Sequence, residues 1–185
     1  FTGQVAVLAM VAAFLGRRRH LSQQQCFQYL EALNGIPAQI EKALALSSQC
    51  RTIAGEFVES GNWLYLGRGT QYPVALEGAL KLKEISYIHA EGLPAAEMKH
   101  GPIALISEDM PVVVLAPHDR FYEKTVSNMQ EVAARGGKII FITDEKGAAA
   151  SKLPTMATIV MPNVDEVIAP MIYALPIQLL AYHTA

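Results

Sequence analysis

Residues 63–84 read WLYLGRGTQYPVALEGALKLKE, and the predicted architecture begins with this stretch. Residues 63–67 form a continuously apolar run of strand length, which is typical of a strand covered on both faces. A glycine-containing turn follows, and residues 72–89 are dense in small and apolar side chains, which predicts a helix. A buried strand that leads into a helix predicts a parallel sheet with helical crossovers.

The same alternation continues towards the end of the chain. Three more apolar runs predict strands, namely PVVVLAP (111–117), KIIFIT (138–143) and ATIVMP (157–162). Helices are predicted over 121–135 and 167–182, and the glycines of ARGGK (134–138) end the first of these. We therefore predict an α/β fold in which a parallel sheet lies between two layers of helices, a three-layer sandwich.

Residues 1–60 contain helical patterns only, so we predict an N-terminal helical extension that precedes a sandwich domain over 61–185. The segments RRRH (17–20) and NGIP (34–37) separate successive helices. The longest apolar run, VAVLAMVAAFLG (5–16), is shorter than the roughly 20 residues that cross a bilayer. We expect this run to be a buried helix.

The composition excludes several classes of protein. The chain has 185 residues, of which 51% are hydrophobic, so it can bury a sizeable core. Its formal net charge of -2 attracts neither nucleic acid nor an anionic membrane, and neither partner is expected. The two cysteines suit the reducing cytoplasm, and the five histidines show no metal-ligand spacing, so no metal site is expected.

The segment GRGT (67–70) occupies the position where parallel sheets bind ligands, beyond the carboxyl end of a strand and before a helix. Glycines such as Gly69 allow backbone amides to approach an anion. Thr70 can either cap the next helix or bind a phosphate oxygen. An ordinary strand-to-helix turn accounts for the same residues, and the sequence alone leaves both interpretations open.

Three charged residues of the predicted helix, Glu77, Lys81 and Glu84, follow each other at steps of four and three, so they share one stripe. An exposed row of ion pairs explains this spacing. The surrounding residues are small and apolar, however, and a carboxylate packed there would be partly desolvated, which suits a base that removes a proton from carbon. Lys81 would then orient a hydroxyl group or a developing oxyanion. Both interpretations stay open.

His100 lies in MKHGP (98–102), which we interpret as the end of a short helix that begins near Pro94 and stops at Gly101 and Pro102. An imidazole at a helix end gains from the helix dipole, and this is the structural explanation. An imidazole also titrates near neutrality, so it can protonate a ring oxygen and open a sugar ring.

The combination of LEGALKLKEISYIHAE (76–91) and KHGP (99–102) strongly resembles the C-terminal isomerase region of the glucosamine-6-phosphate synthase family, the glutamine:fructose-6-phosphate aminotransferases. The resemblance extends from FTGQ (1–4) to LLAYH (179–183). The isomerase region of this family contains two sugar isomerase (SIS) domains. The resemblance implies that residues 61–185 are the second SIS domain and that residues 1–60 link it to the first.

The resemblance also implies roles for three residues. Glu84 is the base that moves a proton between C1 and C2 of the open-chain sugar, and Lys81 supports it. His100 assists ring opening and reaches into the active site of a neighbouring subunit, so a homodimer is implied. Fructose 6-phosphate and glucosamine 6-phosphate are the implied substrate and product. No organic cofactor is expected, because a lysine imine and acid-base groups suffice for the reaction.

Several parts of the family pattern do not occur in this chain. The Ser/Thr-rich phosphate loop of the first SIS domain, the glutaminase domain and the C-terminal tail with the imine-forming lysine have no counterpart here. We therefore expect this chain to be part of a longer protein and to be inactive alone. Two alternatives stay open: a related SIS enzyme such as a deglycase, and a non-catalytic regulatory module that binds a phosphosugar.

Overall fold

A five-stranded, wholly parallel sheet forms the centre of the molecule, which is described here over residues 1–185 by a computed structural model. The strands lie in the order β2-β1-β3-β4-β5. Their bounds are β1 Asn62–Gly67, β2 His89–Pro94, β3 Pro111–Leu115, β4 Lys138–Asp144 and β5 Ala157–Met161. The predicted α/β class and all four predicted strands are confirmed.

The chain also forms eight α-helices. Four form the N-terminal extension, as predicted, and their bounds are α1 Thr2–Arg19, α2 Gln23–Asn34, α3 Ile36–Leu44 and α4 Ser47–Gly55. The other four alternate with strands, and their bounds are α5 Gln71–Ser86, α6 Tyr122–Ala133, α7 Glu145–Ala150 and α8 Ala169–Thr184. None of the eight combines the length and the hydropathy needed to cross a bilayer.

Strand β1 shows how the two faces of the sheet acquire separate cores. Its side chains alternate between the faces, as the pleat of a strand requires. Trp63 and Tyr65 join a cluster of 27 buried residues shared with α5, α8 and the N-terminal helices. Leu64 and Leu66 join a second cluster of 13 buried residues on the side of α6. The sheet therefore lies between two helical layers, as the three-layer prediction requires.

Strand β2 was not expected, and the prediction of one helix over 72–89 is wrong at its end. Helix α5 ends at Ser86, and Tyr87 adopts the left-handed conformation with φ 61°. The next residues, HAEGLP, form an edge strand whose residues are mostly exposed or half-buried. A strand at an edge needs no continuous apolar run and tolerates glycine and proline, so its sequence has no clear strand pattern.

Helix α1 also differs from its prediction, because the apolar run over 5–16 is not buried. Ala13 is the only buried residue of this helix. Val7, Leu8, Val11 and Phe14 are all about half exposed or more. The sequence predicted the helix correctly, but hydrophobicity alone does not tell what an apolar helix packs against.

The strand order places a crevice between the loops that follow β1 and β3. From β1 the chain moves outward to β2 on one side, and then it returns to place β3, β4 and β5 on the other side. Parallel sheets bind ligands at such a reversal, outside the carboxyl ends of the strands. The loops that follow β1, β3, β4 and β5 meet there and surround a cavity.

Candidate active site

Helix α5 brings Lys81 and Glu84 together on its outer side. The ammonium group of Lys81 donates a hydrogen bond of 2.5 Å to Glu84 Oε2, and the two side chains are 34% and 48% exposed. This bond and the negative charges of Glu77 and Glu84 raise the pKa of Lys81, so the lysine is firmly cationic at neutral pH. The predicted stripe therefore exists, with Glu77 close enough to affect Lys81.

The expected desolvation of Glu84 is wrong for this chain, because its carboxylate lies on the outside of α5. Large apolar side chains lie beside it, however. Leu76 and Leu80 share its stripe at steps of four residues and are each 43% exposed, and Ile85 is 45% exposed. The Lys81–Glu84 ion pair therefore lies on a surface that also exposes large apolar side chains.

The ion pair and GRGT lie at opposite ends of α5. This helix begins at the carboxyl end of β1, and β2 then starts level with Asn62 at the amino end of β1. Glu84 therefore lies about 20 Å from Gln71 along the helix axis, at a rise of roughly 1.5 Å per residue. The structure does not bring Gly69 and Thr70 together with Lys81 and Glu84.

His100 belongs to another layer of the molecule. The short helix expected from Pro94 is a turn followed by the single 3-10 turn Met98–His100, and Gly101 follows with φ 149°. Met98 is buried in the cluster with Leu64 and Leu66, on the face of the sheet opposite α5. His100 itself is exposed. Within one chain, therefore, His100 and the Lys81–Glu84 pair are on different faces of the sheet.

The second glycine of GRGT, Gly69, has a structural explanation. Gly69 adopts φ 57°, and a Cβ atom there would lie 2.4 Å from the ring of Phe121. The space beside this backbone is therefore filled by an aromatic ring. Arg68 donates a hydrogen bond of 3.1 Å to Asn128, which ties the loop to α6. Thr70 precedes α5 but makes no capping hydrogen bond, so one of its two suggested roles is absent.

The crevice at the carboxyl ends of the strands contains polar residues that the sequence did not single out. Asp144 ends β4, and its carboxylate accepts hydrogen bonds from the backbone N–H groups of His118 at 2.7 Å and Gly147 at 2.9 Å. Gln71 and Tyr173 line the same cavity, and their polar side-chain atoms are buried without a partner. A polar residue at the end of an apolar strand, as in FITD (141–144), is the signal that could have indicated Asp144.

The chain is similar to one protein family and to several known proteins. The family described as SIS domain matches residues 56–185. Glutamine–fructose-6-phosphate aminotransferase (isomerizing) from Agrobacterium fabrum is 64% identical to the whole chain, and one from Rhizobium meliloti is 60% identical. The chain covers 31% of each, so it spans about a third of the length of these relatives.

Solved structures agree with this grouping. The C-terminal domain of glucosamine-fructose-6-phosphate aminotransferase from Francisella tularensis is 40% identical and superimposes with a TM-score of 0.97, covering 100% of this chain and 52% of the other. Glucosamine-6-phosphate deaminase from Thermotoga maritima, at 18% identity and a TM-score of 0.67 over 97% of this chain and 51% of its own, shares the fold. With its three-layer parallel sheet and a match over 56–185, the chain belongs to the SIS domain family.

Proposed function

We propose that this chain is the second SIS domain, with its linking helices, of an enzyme that converts fructose 6-phosphate and glutamine-derived ammonia to glucosamine 6-phosphate. The observation that carries the proposal is the identity of 64% over the whole chain to an aminotransferase of that type. The Lys81–Glu84 pair on α5 supplies a base and a cation in contact with each other.

In the proposed reaction, Glu84 removes a proton from C1 of the open-chain sugar and returns it to C2, so the carboxylate is restored after each cycle. Lys81 balances the negative charge that develops on the sugar oxygen during the transfer. Both groups need a dry site, because electrostatic effects are strongest where water is excluded. The exposed Leu76 and Leu80 beside Glu84 support the idea that another part of the enzyme covers this face.

His100 is proposed to protonate the ring oxygen in the active site of a second subunit, and the enzyme is proposed to be a homodimer. The position of His100 on the face of the sheet opposite α5 supports this, because an imidazole there does not reach Glu84 of its own chain. We further propose a cytoplasmic location, which suits the two free cysteines.

The test is the change Glu84→Gln in the complete enzyme, which keeps the size of the side chain and removes the base. We expect the isomerisation of fructose 6-phosphate to slow by at least about 100-fold. Glu77→Gln is the matched control, because Glu77 lies on the same stripe and also acts on Lys81. That variant should keep a rate close to that of the wild type.

Two results would contradict the assignment. One is a Glu84→Gln enzyme that isomerises the sugar at nearly the normal rate. The other is an equal loss in the Glu77→Gln control, which would mean that the stripe acts through the general charge of the helix. Thermal unfolding of both variants separates a loss of activity from a loss of structure.

The deglycase alternative has only the fold in its favour, since the deaminase from Thermotoga maritima is 18% identical. The regulatory alternative predicts that the isolated chain binds a phosphosugar with useful affinity. The enzyme proposal predicts weak binding, because the phosphate loop belongs to the first SIS domain. Calorimetry with fructose 6-phosphate distinguishes these two predictions.

A further inference from the structure

The cavity at the carboxyl ends of the strands has the form of a small-molecule site. Its volume is about 240 Å³, a little below the roughly 300 Å³ at which pockets for drug-sized ligands begin. Residues from the loops after β1, β3, β4 and β5 line it together with the first turns of α8. It lies at the reversal of strand order, where parallel sheets bind ligands.

Two side chains in this cavity have unused hydrogen-bonding capacity. Gln71 and Tyr173 are each only 1% exposed. Both amide atoms of Gln71 and the hydroxyl group of Tyr173 are buried without a hydrogen-bond partner. Buried polar groups in folded proteins nearly always have a partner, and of the residues with unpartnered buried atoms only Gln71 and Tyr173 line this cavity, where a polar ligand can supply one.

The charges around the cavity disfavour an anion. Three carboxylates line it, those of Asp119, Asp144 and Glu166, against one guanidinium group, that of Arg120. Arg120 is also paired with Glu166 at 3.9 Å, which reduces its attraction for another anion. A phosphate group placed here would be repelled by more charges than would attract it.

The phenol group of Tyr173 is protonated, so it can donate a hydrogen bond. Burial raises the pKa of its phenol, and the negative charges of Asp144 and then Asp119 raise it further. The hydroxyl group therefore keeps its proton throughout the physiological range. It can donate to an oxygen of a ligand, while the Gln71 amide offers one donor group and one acceptor.

We propose that this cavity is a second ligand site, which binds a small hydroxylated molecule without phosphate, neutral or cationic, such as a free sugar or amino sugar. Gln71 and Tyr173 are its direct hydrogen-bond partners. The carboxylates favour an amine-bearing ligand over a neutral one by charge. The site lies at the opposite end of α5 from Lys81 and Glu84, so it goes beyond the proposed isomerase chemistry and does not depend on it.

The experiment uses the complete enzyme with fructose 6-phosphate at saturation, so that a sugar-phosphate site is already filled. Binding of glucosamine, of glucose and of inorganic phosphate is measured by calorimetry. We expect glucosamine to bind most tightly, glucose more weakly and phosphate not measurably. Tyr173→Phe removes one hydroxyl group and should raise the dissociation constant of glucosamine about tenfold, the effect of one buried hydrogen bond.

The chain offers a matched control in Tyr65. This tyrosine is also fully buried with an unpartnered hydroxyl group, but it does not line the cavity. Tyr65→Phe should leave glucosamine binding unchanged. If Tyr173→Phe does not fold, Gln71→Met provides the same test through the amide.

Four results would overturn the proposal. The first is that glucosamine does not bind at high millimolar concentration, and the second is that it binds equally to the Tyr173→Phe and wild-type enzymes. The third is that phosphate binds more tightly than glucosamine. The fourth is a crystal soaked in glucosamine that shows only an ordered water between Gln71 and Tyr173. Because the Glu84→Gln test measures sugar isomerisation, failure of that test and failure of this one are distinguishable.

Discussion

Lys81 and Glu84 contribute to stability and to the proposed chemistry in very different amounts. Their contact is short but exposed to water, where an ion pair is screened and its formation restricts two long side chains. Exposed pairs at this spacing stabilise a helix by about 0.3–0.5 kcal/mol. The same contact is valuable to an enzyme, because it keeps a cation beside the proposed base.

The change Lys81→Met should therefore lower the free energy of unfolding at pH 8 by no more than about 0.5 kcal/mol. The pKa of Lys81 is raised above its ordinary value of 10.5, so its contribution is complete below pH 10.5 and is lost as the pH rises through the higher folded value. Urea unfolding at pH 8 and at pH 11.5 measures both effects. A loss above about 2 kcal/mol at pH 8 would show that the pair is structural.

Gly69 is predicted to matter for the fold of its loop. Gly69→Ala forces a side chain into the left-handed region, which costs about 1–2 kcal/mol, and its Cβ would also displace the Phe121 ring. Chemical denaturation measures the change. Gly61→Ala is the control, since no atom lies within 4 Å of its added Cβ, and it should change stability by less than about 0.5 kcal/mol. Equal effects would contradict the proposed role of Phe121.

At the scale of elements, the sequence predicted those strands that are covered on both faces. Runs such as VVVL in β3 are apolar at every position because helices cover both sides of the sheet. The edge strand β2 has a helix layer but no second neighbouring strand, so HAEGLP shows no such pattern. Periodicity reports burial, and it could not detect a strand that is mostly exposed or half-buried and pairs with β1 through its backbone.

Helix α5 packs closely against that edge strand at Gly92. A Cβ atom there would lie 2.8 Å from backbone atoms of Ala75 and Leu76, which cannot rotate away. Gly92→Ala should lower the free energy of unfolding by about 1–3 kcal/mol through overpacking. Gly55→Ala is the control because its surroundings are open. If both variants denatured at the same urea concentration, the close contact between α5 and β2 would not be the cause.

At the scale of the whole molecule, the sequence predicted the fold, but it did not predict which of the candidate site residues lie close together. Local spacing correctly predicted the contact of Lys81 with Glu84, because residues three apart on a helix are neighbours. No spacing along the sequence tells that His100 lies on the other face of the sheet. Gln71 and Tyr173 are more than a hundred residues apart in sequence and line one cavity only through tertiary folding, and neither belongs to a distinctive motif.

The proposed sharing of the site between subunits has a direct test. Full-length Glu84→Gln and His100→Asn enzymes should each be inactive. When the two are denatured together and refolded, about half of the dimers combine both variants, and each of these regains one intact site of two. We expect about one quarter of wild-type activity. A mixture that stays inactive while forming mixed dimers would contradict the shared site.

The parallel sheet described above has a consequence for how the chain acquires its structure. No two of its strands can pair as a hairpin, so every ladder requires a long loop to close first. Strand β1 is followed by the whole of α5 before β2, its first partner, is made. Its second partner, β3, comes later still. During synthesis on the ribosome, Leu64 and Leu66 therefore stay uncovered until the residues of β3, α6 and β4 that complete their cluster have emerged. This order of strands predicts slow folding, with apolar surface exposed while the sheet is incomplete.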